Sequence, residues 1–563
     1  MINPQENKPF DIRLFLAFVL LFAVVIIFTT YFQPQPKKQA EPAPITPPAA
    51  DTTAAAKAAS EQTQPREQAV LIAESDTTQM SADTIVVETP LIVARLTTLG
   101  ADLIDYRLKN YHYIAEHDTQ EPISLLPANH ESALRFEFWG DPIKLWQCNF
   151  TASADSARLT KKGDSTAVTF TWLYAGTHPI EKTYIFYADR YSFDVILSVP
   201  ADFPIPLERE YTFGWDAGIE PTEFRKKEDV QDLMAVALLG KDVEEVKKIA
   251  DEERPKRFGG QVLWAGVRSK YFLNVVIPRS AEPEEFIVDR RFGMVSDPTE
   301  QFRIPYFSSR FAVRITPGQP ISHRYTVFMG PLDYFVIKDY GVGLEQIMHL
   351  GWKFLIRPFA IFLLWAFQSL YGIVPNYGVV IILFGFIIKT LFHPLTKKSM
   401  ASMQRMRELS PKLEKLREKF KEDPQRLNKE TMKLYKEAGF NPLSGCLPLV
   451  AQMPVFFALY QVLRGSIQLR GAEFIAHITD LSQKDSLYIL PVIMTISFFW
   501  QQKMSVTDPK QKAMIYVMPL VFGFLFAQSP AGLTLYWTVY NVFSIVEQYI
   551  IKRPKKDELA VVS

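Results

Sequence analysis

Lys389 stands alone inside an apolar run, Gly378-Val-Val-Ile-Ile-Leu-Phe-Gly-Phe-Ile-Ile, and apolar residues resume at Leu391. At 1.5 Å per residue it lies roughly 12 Å inside Lys397, the expected cytoplasmic end of the helix. A charge at mid-helix costs about 2.5–3.5 kcal/mol on insertion scales. A snorkelling lysine stem covers only about half of that depth, so the bilayer would also have to thin or admit water. The functional reading is an ammonium facing a hydrated cavity open to the cytoplasm. Polar residues in other apolar segments suit the same cavity: Gln452 between Pro448 and Pro454, and Asn541, Ser544, Glu547 and Gln548 below Tyr536 and Trp537. Each can equally be interhelical hydrogen-bonding glue. Glu547, near the cytoplasmic end, reads as interfacial.

Other chemistries find no residues to carry them. The eight histidines lack metal-ligand spacing, and no phosphate loop or nucleophile elbow occurs. Cys148 and Cys446 make no disulfide framework and no metal motif. The reading is therefore a non-enzyme with no cofactor and no metal. A net charge of +1 excludes a strongly basic chain, so no sequence-specific nucleic-acid partner is expected.

The elements that must position Lys389 follow from hydropathy. Leu14 to Tyr31 is uncharged, follows Arg13 and lacks a small-residue cleavage pattern. It reads as a transmembrane anchor over 14–32, after a cytoplasmic segment 1–13. Residues 33–84, rich in Pro, Ala, Thr, Gln and Glu, read as a flexible linker. Over 85–335 the period becomes two: Leu134, Phe136 and Phe138; Val168, Phe170 and Trp172; Phe193, Val195, Leu197 and Val199; Tyr325, Val327 and Met329. This predicts an all-β sandwich, with one charged stretch, Glu220 to Arg257, read as helical. Residues 336–376 include the aromatic segment Trp352 to Tyr371, interrupted by Arg357 and Pro358.

Five candidate spans follow within a core at 377–551: Tyr377–Leu395, Leu447–Leu463, Leu487–Trp500, Ala513–Ala527 and Ala531–Ile551. Loop charge orients them. Thr396 to Pro442 holds thirteen Lys or Arg against seven acids, while Arg464 to Ser486 is balanced. The positive-inside rule puts the first in the cytoplasm and the second outside. With an inward N-terminus the β domain lies outside, Trp352–Tyr371 lies along the outer interface, and six spans in total satisfy every loop. Leu487–Trp500 and Ala513–Ala527, at fourteen and fifteen residues, are short of the usual 20 or so, so they should thin the bilayer beside the cavity.

The cytoplasmic stretch 396–442 carries an apolar 3-4 stripe, Met403, Met406, Leu409, Leu413, Leu416 and Phe420, answered by Leu427, Thr431, Leu434 and Ala438. Ser410-Pro411 and Asp423-Pro424 read as helix starts, giving a two-helix hairpin. Its outer basic residues, Arg405, Arg407, Lys412, Lys415, Arg417 and Lys419, suit lipid headgroups, ribosomal RNA or plain solvation. A short basic tail occupies 552–563.

Three motifs, Phe392-His-Pro-Leu-Thr396, Asn441-Pro-Leu-Ser-Gly-Cys-Leu-Pro-Leu-Val-Ala-Gln-Met-Pro454 and Ser529-Pro-Ala-Gly-Leu-Thr-Leu-Tyr-Trp537, resemble the YidC family of membrane protein insertases. So does the order of parts, which is similar to the Gram-negative bacterial type. The resemblance implies a multi-domain chain: an all-α polytopic membrane bundle plus an all-β periplasmic supersandwich, like sugar-mutarotase domains. It implies an inner-membrane insertase and chaperone for nascent proteins, working alone or with the Sec translocon. A hydrophilic groove open to cytoplasm and lipid would receive the substrate's polar segment. Lys389 matches the groove's usual Arg, and it lacks an arginine's bidentate fork. Gly385 stands where some members have Thr, and Tyr536 and Trp537 match a substrate-contacting aromatic pair whose second member is usually Tyr. Gln452 and Asn541 would line the same groove. Nascent membrane proteins, the translocon, the ribosome and the phospholipid bilayer are the implied partners. Two rivals are a secondary transporter, which predicts paired ionisable residues at mid-bilayer and internal repeats, and a membrane-anchored periplasmic sugar-binding module.

Overall fold

The computed structural model describes residues 82–114, 121–138, 144–203, 210–296, 300–438, 447–505 and 512–552. The expected anchor, the linker up to residue 81, the segment 439–446 and the tail after Lys552 lie outside the described residues.

Strands run from Thr84 to Pro331 and form three sheets. A nine-stranded sheet runs in the order Asp242–Val246, Met234–Leu239, Val262–Arg268, Phe272–Pro278, Ile321–Pro331, Ser192–Val199, His178–Tyr187, Ser165–Tyr174 and Thr151–Ala152. One five-stranded sheet joins Lys256–Gly259, Glu285–Ser296, Gln301–Arg314, Glu210–Trp215 and Leu134–Phe138; the other joins Pro122–Ser124, Asp102–His112, Ile92–Thr97, Thr84–Glu88 and Ser156–Arg158. The alternating residues point into a shared core, where Phe170, Phe193, Val195, Tyr325 and Val327 are fully buried beside Trp215 and Tyr211.

The helical reading of Glu220 to Arg257 is overturned. Within it lie one short helix, α1 (Lys226–Val230), and the hairpin Met234–Leu239 and Asp242–Val246, turned by Gly240 at φ 60°. The reason is burial on both faces. Ala235 and Ala237 face the sandwich core, while Met234, Val236 and Leu238 face a second core shared with the helices. A strand covered on both sides shows no alternation, so Met-Ala-Val-Ala-Leu-Leu carries no period-two signal.

Eight further helices follow among the described residues: α2 (Tyr334–Lys338), α3 (Ile356–Tyr371), α4 (Tyr377–Lys419), α5 (Pro424–Glu437), α6 (Leu447–Gly465), α7 (Ile489–Ser505), α8 (Lys512–Ala527) and α9 (Ala531–Lys552). Among the described residues, the stretch Tyr377–Met406 is long and apolar enough to cross a bilayer, and Ile356–Tyr371 and Ile515–Ala527 are apolar but shorter. Helix α7, with 17 residues, and α8, with 16, reach about 25 Å each. Helix α9 packs on α4 and α7, α7 on α8, and α3 on α6.

Ser410-Pro411 does not start a helix: α4 runs unbroken through Pro394 and Pro411. Pro411 is exposed, so water can serve the carbonyl its missing N–H leaves free. Continuity keeps Leu409 and Leu413 buried on one face. Asp423 does cap α5, its side chain accepting from Arg426 N at 3.0 Å.

The β domain and the bundle are joined through the loop between α6 and α7. Arg470 Nε donates to Glu223 Oε1 at 2.7 Å, Nη1 to His112 O at 3.0 Å and Nη2 to Thr222 O at 3.3 Å. Gln468 Nε2 donates to Asp333 Oδ2 at 2.7 Å. From the sheet side, Trp264 Nε1 donates to Val342 O and Arg268 Nη1 to Ile347 O.

Candidate functional site

Helix α4 opens with Asn376 as its cap, the side chain accepting from Val379 N at 3.0 Å. That fixes the start of the helix that carries Lys389. Gly385 lies one turn before Lys389 on the same face. A Cβ there would stand 3.3 Å from Val539 Cγ1, so the absent side chain lets α9 approach closely. The face of α9 turned to its neighbours holds Thr534, Thr538, Asn541, Ser544 and Gln548, all buried. Apolar side chains such as Val542 and Val546 are exposed on its other side. A polar stripe on an apolar helix must meet polar partners inside the bundle.

Lys389 is 7% exposed. Its Nζ donates to Ser544 Oγ at 2.9 Å, lies 2.7 Å from Glu547 Oε2 and stands 4.7 Å from the Tyr540 ring centroid. Glu547 Oε1 accepts from His393 Nδ1 at 2.5 Å. Glu547, expected near the interface, has a side chain that is 10% exposed and is the counter-ion of Lys389. An ionisable pair, which the sequence reading did not find, is present. The signal was in the helix register. His393 and Glu547 each lie sixteen residues past the first residue of α4 and α9, so the two packed helices carry them side by side.

The remaining groove candidates meet along α9. Gln452 Nε2 of α6 reaches Tyr536 OH at 3.5 Å, and Asn541 Nδ2 donates to Ser497 Oγ of α7 at 3.3 Å. Tyr536 is fully buried and stacks towards Tyr540, the ring beneath Lys389. Trp537 turns the other way into Phe456, Phe522 and Phe526, and its Nε1 is buried without a partner among the described residues. Lys389, Gln452 and Tyr536 are thus linked through Tyr540, while Asn541 and Trp537 join α9 to α7, α6 and α8. Sequence reasoning missed His393, Ser497 and Tyr540.

On the hairpin, Arg405, Lys412, Lys415 and Lys419 are exposed and Arg417 is half-buried; the side chain of Arg407 lies outside those described. Leu427, Thr431 and Leu434 of α5 are half-buried beneath the α4 stripe. A separate cavity of about 190 Å³ lies at the domain junction, lined by Glu223, His477, Asp480 and Asp485, far from this cluster in the chain's architecture. Among the described residues no group of His, Cys, Asp or Glu could hold a metal ion.

Two family models match the chain: the YidC periplasmic domain over residues 84–362 and the 60Kd inner membrane protein over 369–558. The membrane protein insertase YidC of Syntrophus aciditrophicus is 35% identical over 477 residues, 83% of this chain and 85% of that protein. That of Chlorobaculum tepidum is 30% identical over 578 residues, 96% of this chain and 95% of that protein. A crystal structure of an active YidC insertase with its first transmembrane domain resolved is similar at 18% identity and a TM-score of 0.36, covering 84% of this chain and 92% of that one. With a large β-rich periplasmic domain ahead of a helical inner-membrane region, and with relatives alike along most of its length, this chain belongs to the YidC family of membrane protein insertases.

Proposed function

We propose that this chain inserts nascent membrane proteins into the inner membrane and helps them fold, through a polar groove centred on Lys389. The observation that carries the reading is that ammonium. It is buried on a helix long enough to span a bilayer, at one end of a polar stripe on α9 that also engages Gln452, Tyr536 and Asn541. A substrate's short polar segment enters from the cytoplasm and is drawn to Lys389, because Coulomb attraction is strong at low effective dielectric. Its apolar span then slides along the bundle, where α7 and α8 are shorter than the hydrocarbon core and favour local thinning. Tyr536 and Trp537 offer it aromatic contact. No covalent step is needed.

In this reading the chain has six spans, with both termini in the cytoplasm and α3 lying along the outer interface. That placement is supported by the exposed aromatic face of α3, Phe359, Phe362 and Trp365. The exposed basic residues of the hairpin contact lipid headgroups or the ribosome, and the Sec translocon is a partner for some substrates. Lys389→Ala should abolish insertion of a charge-dependent substrate in reconstituted vesicles, whereas Lys389→Arg retains it. Normal insertion by the alanine variant overturns the groove.

A further inference from the structure

The cluster around Lys389 holds a carboxylate for which the groove reading has no use. Glu547 Oε2 is 2.7 Å from Lys389 Nζ, and both side chains are about one-tenth exposed or less. Among the described residues no other carboxylate lies within ion-pair distance of that ammonium. Its remaining partners, the Ser544 hydroxyl and the Tyr540 ring, are neutral. A cation this deep cannot stand unpaired between substrates without a large desolvation cost. Yet if Glu547 held it permanently, Lys389 would have no charge left to offer.

Glu547 has a second place to go. Its Oε1 accepts from His393 Nδ1 at 2.5 Å, and His393 is 49% exposed, one turn further along α4 from Lys389. The carboxylate therefore bridges a buried and an exposed donor, and leaving the first does not strand it.

We propose that Glu547 is a resident carboxylate that stands in for the substrate on Lys389 and yields to an acidic side chain of the incoming segment, withdrawing to His393. This rests on the reading of Lys389 as the groove's charge. The exchange replaces one carboxylate by another, so the ammonium is paired throughout and the number of buried charges does not change. A lysine suits such a hand-over: its compact ammonium has three rotatable donors and can hold two carboxylates in passing, without the fixed fork of a guanidinium. The exchange also confers selectivity. A segment bearing Asp or Glu competes with Glu547, and its amide isostere does not.

The test uses the full chain in vesicles and two single-span substrates that differ by one Asp or Asn in the outer segment. The readout is the ratio of their insertion rates. Glu547→Gln removes the competitor and should raise the Asp-over-Asn ratio by about threefold. His393→Leu removes the refuge, commits Glu547 to Lys389 and should lower the ratio by about twofold. Simple loss of structure would not move the two variants in opposite directions. If Glu547→Gln does not accumulate, the half-exposed variant His393→Leu decides alone, and an unchanged or raised ratio overturns the proposal. An unchanged or lowered ratio in Glu547→Gln overturns it too. Lys389→Gln separates the two claims. If it leaves the Asp preference intact, the groove reading itself fails; if it erases the preference while neither other variant shifts it, the groove stands and the stand-in does not.

Discussion

Two buried ion pairs tie this molecule together, and they are built in opposite ways. At the junction, every nitrogen of the Arg470 guanidinium donates: one to the Glu223 carboxylate and two to backbone carbonyls of the β domain. The side chains of that pair are 4% and 1% exposed. In the bundle, Lys389 has one hydroxyl, one ring and one carboxylate, and the carboxylate is shared with a half-exposed histidine. A rigid fork with a partner on each nitrogen fixes two bodies in register. A point charge whose partner has somewhere else to go can exchange partners. The number and fixed geometry of the cation's hydrogen bonds, rather than burial, separate a clamp from a binding site.

The comparison breaks if the two pairs respond alike to truncation. Arg470→Ala leaves Glu223 buried and uncompensated, and should cost about 3–5 kcal/mol in thermal or denaturant unfolding of the detergent-solubilised chain. A loss below about 1 kcal/mol would make the clamp an ordinary surface pair.

A second effect comes from Asp229, behind the clamp. Burial first, and the neighbouring Glu223 second, push its carboxyl from 3.8 up to about 6. A carboxyl raised in the folded state contributes stability in its protonated form. That contribution is complete below 3.8 and lost as pH climbs through about 6, about 3 kcal/mol in all. Unfolding of Asp229→Asn compared with the parent between pH 4 and 7 isolates this slope, which the variant should lack.

Lys389→Met should cost only about 1 kcal/mol in the same unfolding assay, because Glu547 keeps His393, even though insertion fails. A cost as large as that of Arg470→Ala would turn the groove pair into a second clamp. The smallest change is local. Asp423→Ala removes the cap of α5 and should raise amide exchange over Pro424–Glu437 by about 1 kcal/mol of opening energy, leaving the junction untouched.

Much of this was readable from residue order, for reasons visible in particular elements. Strands covered on one face announce themselves: Leu134, Phe136 and Phe138 alternate because their neighbours meet water. Met234–Leu239 has a core on each side and so reads as nothing in particular, or as helix. Asp423-Pro424 is a start signal whose side chain does cap; Ser410-Pro411 has the same form, but the apolar stripe through Leu409 and Leu413 keeps the helix going. In the site, Lys389 was conspicuous because a lone charge in an apolar run has a large cost. Glu547 was not, since an acid near a helix end is ordinary until its depth is matched to that of a neighbouring helix.

Sequence alone therefore determined the classes of segment: alternating strands, apolar helices, a basic hairpin and one charge out of place. Each follows from local periodicity and from the transfer cost of individual side chains. Tertiary structure decided the pairings. Which carboxylate faces Lys389, and which loop arginine seats the β domain, depend on helix register and on contacts between residues 158 and 247 positions apart in the chain. No local pattern encodes such distances, because the energy of an ion pair belongs to two sites that only the fold brings together.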